Sequence, residues 1–205
     1  MPDLIQRPPS QHSTFWTLLT VITLTTSGAA QQGTTGEWHV HGGDAGYTRY
    51  SSLDQINPDT DHELEIVWRR SSVDVSVTRQ WPNLQYSNQL RSTPIMVDGV
   101  LYASNGIGLV EAFDPGTGQT LWVQDTSFLG EETPRGASNR GVAYWTSGDD
   151  KRIFSIRPPY LIATNASTGK VIDSFGSSGK VDLSYDAETG YSGTSPPVVV
   201  KDVVI

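Results

Sequence analysis

The chain has 205 residues, 36% hydrophobic and 9% aromatic, enough for a packed core. With 14 basic against 22 acidic side chains it carries a net charge of −8 and no basic cluster, which excludes a nucleic-acid partner, because phosphate contact needs clustered Lys and Arg. The lack of cysteine excludes disulfides, thiolate metal sites, cysteine nucleophiles and a lipid-modified N-terminal cysteine.

In chain order, residues 1–30 read as a cleavable export signal. A polar start with Arg7 and His12 leads into a mostly apolar Phe15–Leu24 run, then small residues Ser27 to Ala30. The apolar run is too short and too rich in threonine for a membrane span, which needs about 20 apolar residues. Residues 31–36 form a polar linker, and residues 37–205 form the folded domain; the chain's 6 tryptophans and 20 glycines favour turn-rich β structure. His39 and His41 alternate on one strand face; without a third ligand nearby they read as polar edge residues, because zinc needs three or four protein ligands. Asp54–Leu64 can hold one or two helical turns.

Short β-type runs then recur: Glu65–Trp68, Pro94–Val97, Val100–Tyr102, Val142–Trp145, Arg152–Ile156 and Val198–Val200. Asp98-Gly99, between two of them, is a strong hairpin signal. The segment Ala112–Trp122 returns as Ala163–Asp173, each copy with an Asp or Asn before a Thr-Gly turn and a further strand after it. A period of about 50 residues marks a β-propeller blade. Trp122 would cover the neighbouring blade; in the second copy Asp173 stands in its place, and Phe175 has the strand orientation to substitute. Asn165-Ala-Ser167 fits a glycosylation acceptor but is explained by turn chemistry. Asp149-Asp150 and Glu131-Glu132 read as solvated loop carboxylates. The expected fold is all-β, roughly three blades of a propeller. The strand-type ending at Lys201–Ile205 reads as the edge of an N-terminal fragment of a longer protein.

Five stretches, in one order, resemble the pyrroloquinoline-quinone (PQQ)-dependent alcohol and glucose dehydrogenases. They are Trp38-His-Val-His-Gly-Gly-Asp44 through Asn57-Pro58, Ser92-Thr-Pro94 to Tyr102, Asn139-Arg-Gly-Val-Ala-Tyr-Trp145, Phe175-Gly176 to Leu183, and Thr194-Ser-Pro-Pro197 to Ile205. The resemblance implies an exported, periplasmic or membrane-associated enzyme with an eight-bladed propeller. PQQ and Ca2+ would lie near its axis, and an alcohol or sugar would be oxidised by hydride transfer to the quinone. A cytochrome or ubiquinone would accept the electrons.

By the same resemblance, Arg140 matches an arginine that contacts the quinone and Thr194 a threonine whose hydroxyl reaches the cofactor's edge. A guanidinium suits a cofactor with several carboxylates, since it offers forked donors and keeps its proton. The plainer readings are a surface arginine at a turn and a hydroxyl tied to the Ser195-Pro-Pro turn. The Ca2+ ligands and catalytic aspartate would lie beyond Ile205, leaving the fragment alone inactive. Two departures separate the chain from the alcohol-oxidising members. Arg91 stands where they often carry glutamate, and Gly136-Ala-Ser138 lies where a vicinal cysteine pair is expected. The alternative to the enzyme is a non-catalytic propeller scaffold that binds proteins in the cell envelope.

Overall fold

Alternating apolar residues at Ile95–Val97 (β1) and Val100–Ser104 (β2), punctuated by Asp98-Gly99, fold as the hairpin they predict. Asp98 and Gly99 both take positive φ, +52° and +74°, as a two-residue turn matching the strand twist requires. The computed structural model describes residues 36–129, 136, 139–184 and 193–205. The export signal, most of the linker, Glu131-Glu132 and Ala137-Ser138 lie outside the described residues.

β3 (Val110–Phe113) and β4 (Thr120–Val123) complete a four-stranded antiparallel sheet in the order β1-β2-β3-β4. β5 (Ala143–Ser147), β6 (Asp150–Arg157), β7 (Tyr160–Asn165) and β8 (Lys180–Asp182) repeat that order in a second sheet. β9 (Val199–Val200) and β10 (Val203–Val204) pair as a hairpin. Roughly three blades were expected; the described residues hold two complete sheets and this two-stranded third.

The sheets stack face to face, so their central strands are buried on both sides. All four residues of β3 are buried, as are Ile153–Ile156 of β6 and Leu161–Thr164 of β7. One cluster joins Ile95, Val97, Tyr102, Val110 and Ala112 of the first sheet to Val142, Ile153 and Ala166 of the second. Another joins Ala143, Phe154, Ile156, Leu161 and Ala163 of the second to Val199 and Val204 of the third. Each fully buried Ile in these layers, such as Ile95 or Ile153, is worth about 1.5–3 kcal/mol relative to exposure.

The repeated turn is built from side-chain hydrogen bonds. Asp114 Oδ1 accepts from Thr117 N and Thr117 Oγ1, both at 2.8 Å, and Asn165 Oδ1 accepts from Thr168 N and Thr168 Oγ1, both at 3.0 Å. The glycine after each threonine has φ of +70° (Gly118) or +74° (Gly169), which a side chain would strain. Each glycine also clears room for a tryptophan. A Cβ on Gly169 would lie 2.7 Å from the Trp122 ring, and one on Gly118 would lie 2.6 Å from the Trp68 ring. Trp122 Nε1 donates to Ala166 O at 3.0 Å and Trp68 Nε1 to Pro115 O at 2.9 Å, the same position in the two turns. Tryptophan on glycine is therefore the recurring joint.

Three expectations are corrected. Glu65–Trp68 is extended but belongs to no strand, although Trp68 docks as a blade tryptophan does. The run after Gly169 is not the fourth strand: Val171 makes one bridge to Thr164, and the chain turns before returning as β8. Asp150 is not a free loop carboxylate, since it opens β6 and pairs with Arg152. Phe175 packs at 5.4 Å against Phe154 in the cluster that reaches the third sheet. The helical turn expected within Asp54–Leu64 is the 3-10 turn Asp61–Glu63.

A short helix, α1 (Val75–Gln80), was not expected. Asp74 caps it by accepting from Ser76 N at 2.8 Å, and Val77 buries its inner side with Val73, Leu84, Ile107 and Leu109. This segment is fastened to the first sheet through Glu111, a carboxylate with 3% of its side chain exposed. Glu111 pairs with Arg70, and its Oε1 accepts from Asp74 N at 2.9 Å and Asn105 Nδ2 at 2.8 Å.

Candidate functional site

The first strand of each sheet is preceded by a residue that touches its counterpart in the next sheet. Thr93 N donates to Arg140 O at 2.9 Å, and Arg140 N donates to Thr194 O at 2.8 Å. Thr93, Arg140 and Thr194 thus form one backbone row across the starts of three successive inner strands. The two residues singled out from sequence, far apart in the chain, are hydrogen-bonded neighbours.

Several local features fix this row. Asn139 is buried and donates from Nδ2 to Ile156 O at 2.8 Å, which ties residue 139 to the end of β6. Gly141 lies where three segments converge: a Cβ there would be 3.2 Å from Thr93 O and 3.5 Å from His41 Nδ1 and from Pro196 Cβ. A side chain there would require Thr93 O to give way by a few tenths of an ångström. Ser92 Oγ accepts from Ser104 N at 2.9 Å, holding the preceding residues against the end of β2. Between these anchors the Arg140 side chain is exposed and Thr194 is half-buried. Among the described residues the Arg140 guanidinium has no ion pair and the Thr194 hydroxyl no hydrogen-bond partner.

The row can therefore offer a fixed positive charge and a hydroxyl to an anionic, oxygen-rich group. A guanidinium stays protonated and presents paired N–H donors to such oxygens. Arg91, two residues before Thr93, is exposed as well, and its described partner is the neutral Gln89 amide.

The histidines do not meet. His39 Nε2 lies 3.0 Å from the Glu37 carboxylate, with its ring edge toward Tyr144, whereas His41 lies by Tyr47 and Gly141. His41 Nδ1 is buried without a hydrogen-bond partner among the described residues, a detail the Trp-His-Val-His pattern gave no means of finding. Asn165 Oδ1 is spent on its turn, as its chemistry suggested. Gly136 presses on Tyr86 and Ser87, where a Cβ would come within 2.5 Å of Ser87 N, so a cysteine side chain there would require the backbone to shift.

Toward the other ends of the inner strands lies a cleft of about 430 Å³. Its charged groups are mutually satisfied: Lys151 Nζ reaches Asp98 Oδ2 at 2.6 Å, and the Glu37 carboxylate accepts from Asp98 N and Gly99 N. The Lys151 hydrogen bond holds the Asp98 carboxyl below the usual range, and the Lys151 ammonium is pushed up in return. The Arg140 end differs in presenting a guanidinium with no ion pair among the described residues.

Successive antiparallel four-stranded sheets, stacked face to face and joined at their inner strand starts, make this a partial β-propeller. Residues 38–205 match the family described as PQQ, glucose/ethanol/alcohol dehydrogenase, beta-propeller domain. The chain belongs to that family. It is 34% identical over 173 residues to 1-butanol dehydrogenase (cytochrome c) of Thauera butanivorans, covering 83% of this chain and 22% of that protein. It is 28% identical over 192 residues to quinoprotein glucose dehydrogenase A of Acinetobacter calcoaceticus, covering 82% and 24%. Among solved structures, quinohemoprotein alcohol dehydrogenase from Comamonas testosteroni matches with a TM-score of 0.62 and 29% identity, covering 85% of this chain and 23% of that one. The chain spans less than a quarter of the length of these relatives.

Proposed function

We propose that this chain is the opening part of an exported quinoprotein dehydrogenase that oxidises the CH–OH group of an alcohol or sugar. The observation that carries the reading is the backbone row Thr93–Arg140–Thr194, whose guanidinium and hydroxyl have no partner among the described residues. These donors fit PQQ, whose carboxylates and ortho-quinone oxygens are acceptors. When bound, that cofactor supplies the hydride acceptor.

In this reading Arg140 holds the cofactor's anionic oxygens and stabilises negative charge on them, while Thr194 donates a hydrogen bond to its edge. The rigid row fixes both at constant spacing, so little ordering is lost on binding. Ca2+ ligands, the catalytic carboxylate and the contact to a cytochrome or ubiquinone come from outside this chain, and the chain alone is inactive. Residues 1–30 direct export and are removed. The relatives matched above, named as dehydrogenases of 1-butanol, alcohol and glucose, support the CH–OH substrate class.

The test uses the full-length protein recovered from the periplasm, with PQQ affinity measured by fluorescence titration in Ca2+. Arg140→Ala should bind PQQ at least about ten-fold more weakly, the loss of one charge-assisted contact of about 1.4 kcal/mol. Failure of the wild-type protein to bind PQQ, or unchanged affinity in Arg140→Ala, would overturn the reading.

A further inference from the structure

Four buried side-chain atoms have no hydrogen-bond partner among the described residues: His41 Nδ1, Ser104 Oγ, Asn139 Oδ1 and Ser155 Oγ. Buried polar groups are nearly all paired, because an unpaired one keeps the full cost of leaving water. Ser104 and Asn139 are 3% exposed and Ser155 0%, so bulk solvent does not satisfy them.

The strand registers bring these three residues to one layer, between the first and second sheets and behind the Arg140 row. Ser104 ends β2 opposite Val110, which lies in the cluster joining the two sheets, and opposite residues of an antiparallel ladder share a face. Ser155 of β6 stands between Phe154 and Ile156, both in the cluster that faces the third sheet, so alternation turns it toward the first. Asn139 Nδ2 donates to Ile156 O at 2.8 Å, which holds the amide beside the residue after Ser155. The Arg157 guanidinium donates to Ile107 O, drawing the end of β6 to the loop that leaves β2.

Elsewhere in this layer the two sheets meet through a direct polar bond. Gln124, just past β4, donates from Nε2 to Thr164 Oγ1 at 2.6 Å. Serine is too short to do the same: stacked sheets lie about 10 Å apart, and two hydroxyls pointing across that gap leave room between them.

We propose that a single bound water bridges the sheets here, held by Ser104 Oγ from the first and by Ser155 Oγ and Asn139 Oδ1 from the second. The hydrogen-bond count closes. The water donates to Asn139 Oδ1, which can only accept, donates to one serine oxygen, and accepts from the other serine hydroxyl. Three bonds are the usual number for a buried water. Both ends of the Asn139 amide are then fixed, Nδ2 by Ile156 O and Oδ1 by the water, and with them the residue before Arg140. The site stands whatever group binds at the row.

The experiment is urea unfolding of the full-length protein with Ser104→Ala, Ser155→Ala and both together, alongside a crystal structure of the wild type that resolves ordered water. Each single change should raise the ratio of unfolded to folded protein at the wild-type midpoint about five-fold, the worth of one hydrogen bond. The double change should cost clearly less than the two singles combined, because both hydroxyls hold the same molecule. In the crystal a water should lie within hydrogen-bond distance of both serine oxygens and Asn139 Oδ1. Alanine variants as stable as wild type, or more so, would overturn the proposal, since removing a hydroxyl that has no partner costs nothing. Additive losses would overturn it too, as would density placing Ser104 and Ser155 in contact with protein atoms alone. A stability that rises with Na+ or K+ beyond the effect of ionic strength would assign the three oxygens to a cation and reject water.

Discussion

The first and second sheets share strand order, turn chemistry and an alanine at the same place in the third strand, Ala112 and Ala163, yet they are held to their surroundings by opposite means. In the first, the residue before that alanine is Glu111, buried and clasped by Arg70, Asp74 N and Asn105. In the second it is Ile162, a hydrocarbon side chain 1% exposed. One backbone plan thus tolerates a buried ion pair or a hydrocarbon at the same point, and the choice depends on what covers the sheet. The first sheet carries the Arg70–Leu84 segment across it, and the ion pair fixes where that segment lands. Specific placement of this kind is what a buried polar pair can add when its net stability is small.

The largest effect is expected from breaking that pair unevenly. Glu111→Ile alone leaves Arg70 without its carboxylate in a site where 19% of its side chain is exposed, and should cost about 3–5 kcal/mol. Adding Arg70→Met makes the first sheet resemble the second and should recover most of the loss. Urea unfolding of the full-length single and double variants measures both. A double variant no more stable than the single one would mean that Glu111 does more than neutralise Arg70.

What the sequence made readable follows from how locally each feature is encoded. The Asp98-Gly99 hairpin, the two Thr-Gly turns and the strands that lead into them depend on residues within a few positions of one another, and they formed as expected. α1 did not announce itself, because six residues are too few to show a helical period; it rests on the Asp74 cap and on Val77 meeting Ile107 and Leu109. The displaced fourth strand of the second sheet has a similar cause. With aspartate at 173 no indole docks after the turn, and the chain passes through Gly176 and Gly179, both at positive φ, before β8 forms. The Thr93–Arg140–Thr194 row was beyond local reading altogether. Its hydrogen bonds join residues of three sheets, so Arg140 and Thr194 could be picked out only through resemblance, and their contact only through the fold.

A second, smaller contrast lies in how each sheet meets the next. Trp122 reaches the second sheet with its ring on Gly169 and its Nε1–H on Ala166 O, a carbonyl that also accepts from Tyr102 Oη at 3.3 Å. Burial, with Tyr144 and Asp98 nearby, pushes the Tyr102 phenol up to about 12, so that joint keeps its proton well into the alkaline range. Phe175 has only ring contacts to offer the cluster facing the third sheet. Trp122→Ala should therefore cost about 3 kcal/mol and Phe175→Ala about 2, the difference being roughly one hydrogen bond. Urea midpoints compared at equal slope would show it, and equal losses would mean that the indole N–H adds nothing to the joint.

The smallest expected effect concerns the Asp98–Lys151 pair, which ties the β1–β2 turn of the first sheet to β6 of the second without any burial to strengthen it. Because the Lys151 hydrogen bond lowers the Asp98 pKa below its ordinary 3.8, the folded state holds this proton less tightly than the unfolded chain. The pair's contribution is complete above the ordinary carboxylate range and is lost as pH falls through the depressed value. The raised Lys151 pKa places its own loss at the alkaline end, above the ordinary 10.5, so the pair is intact across neutral pH. Asp98→Asn removes the charge yet suits the turn, since asparagine tolerates the positive φ at that position. Its melting temperature should lie slightly below wild type at pH 7, and the two curves should meet as pH falls below 3.8 or as salt is raised. Curves that stay apart in acid would show that Asp98 acts through turn geometry and not through its charge, leaving the apolar cluster of Ile95, Val110 and Ile153 and the Trp122 joint to hold the two sheets together.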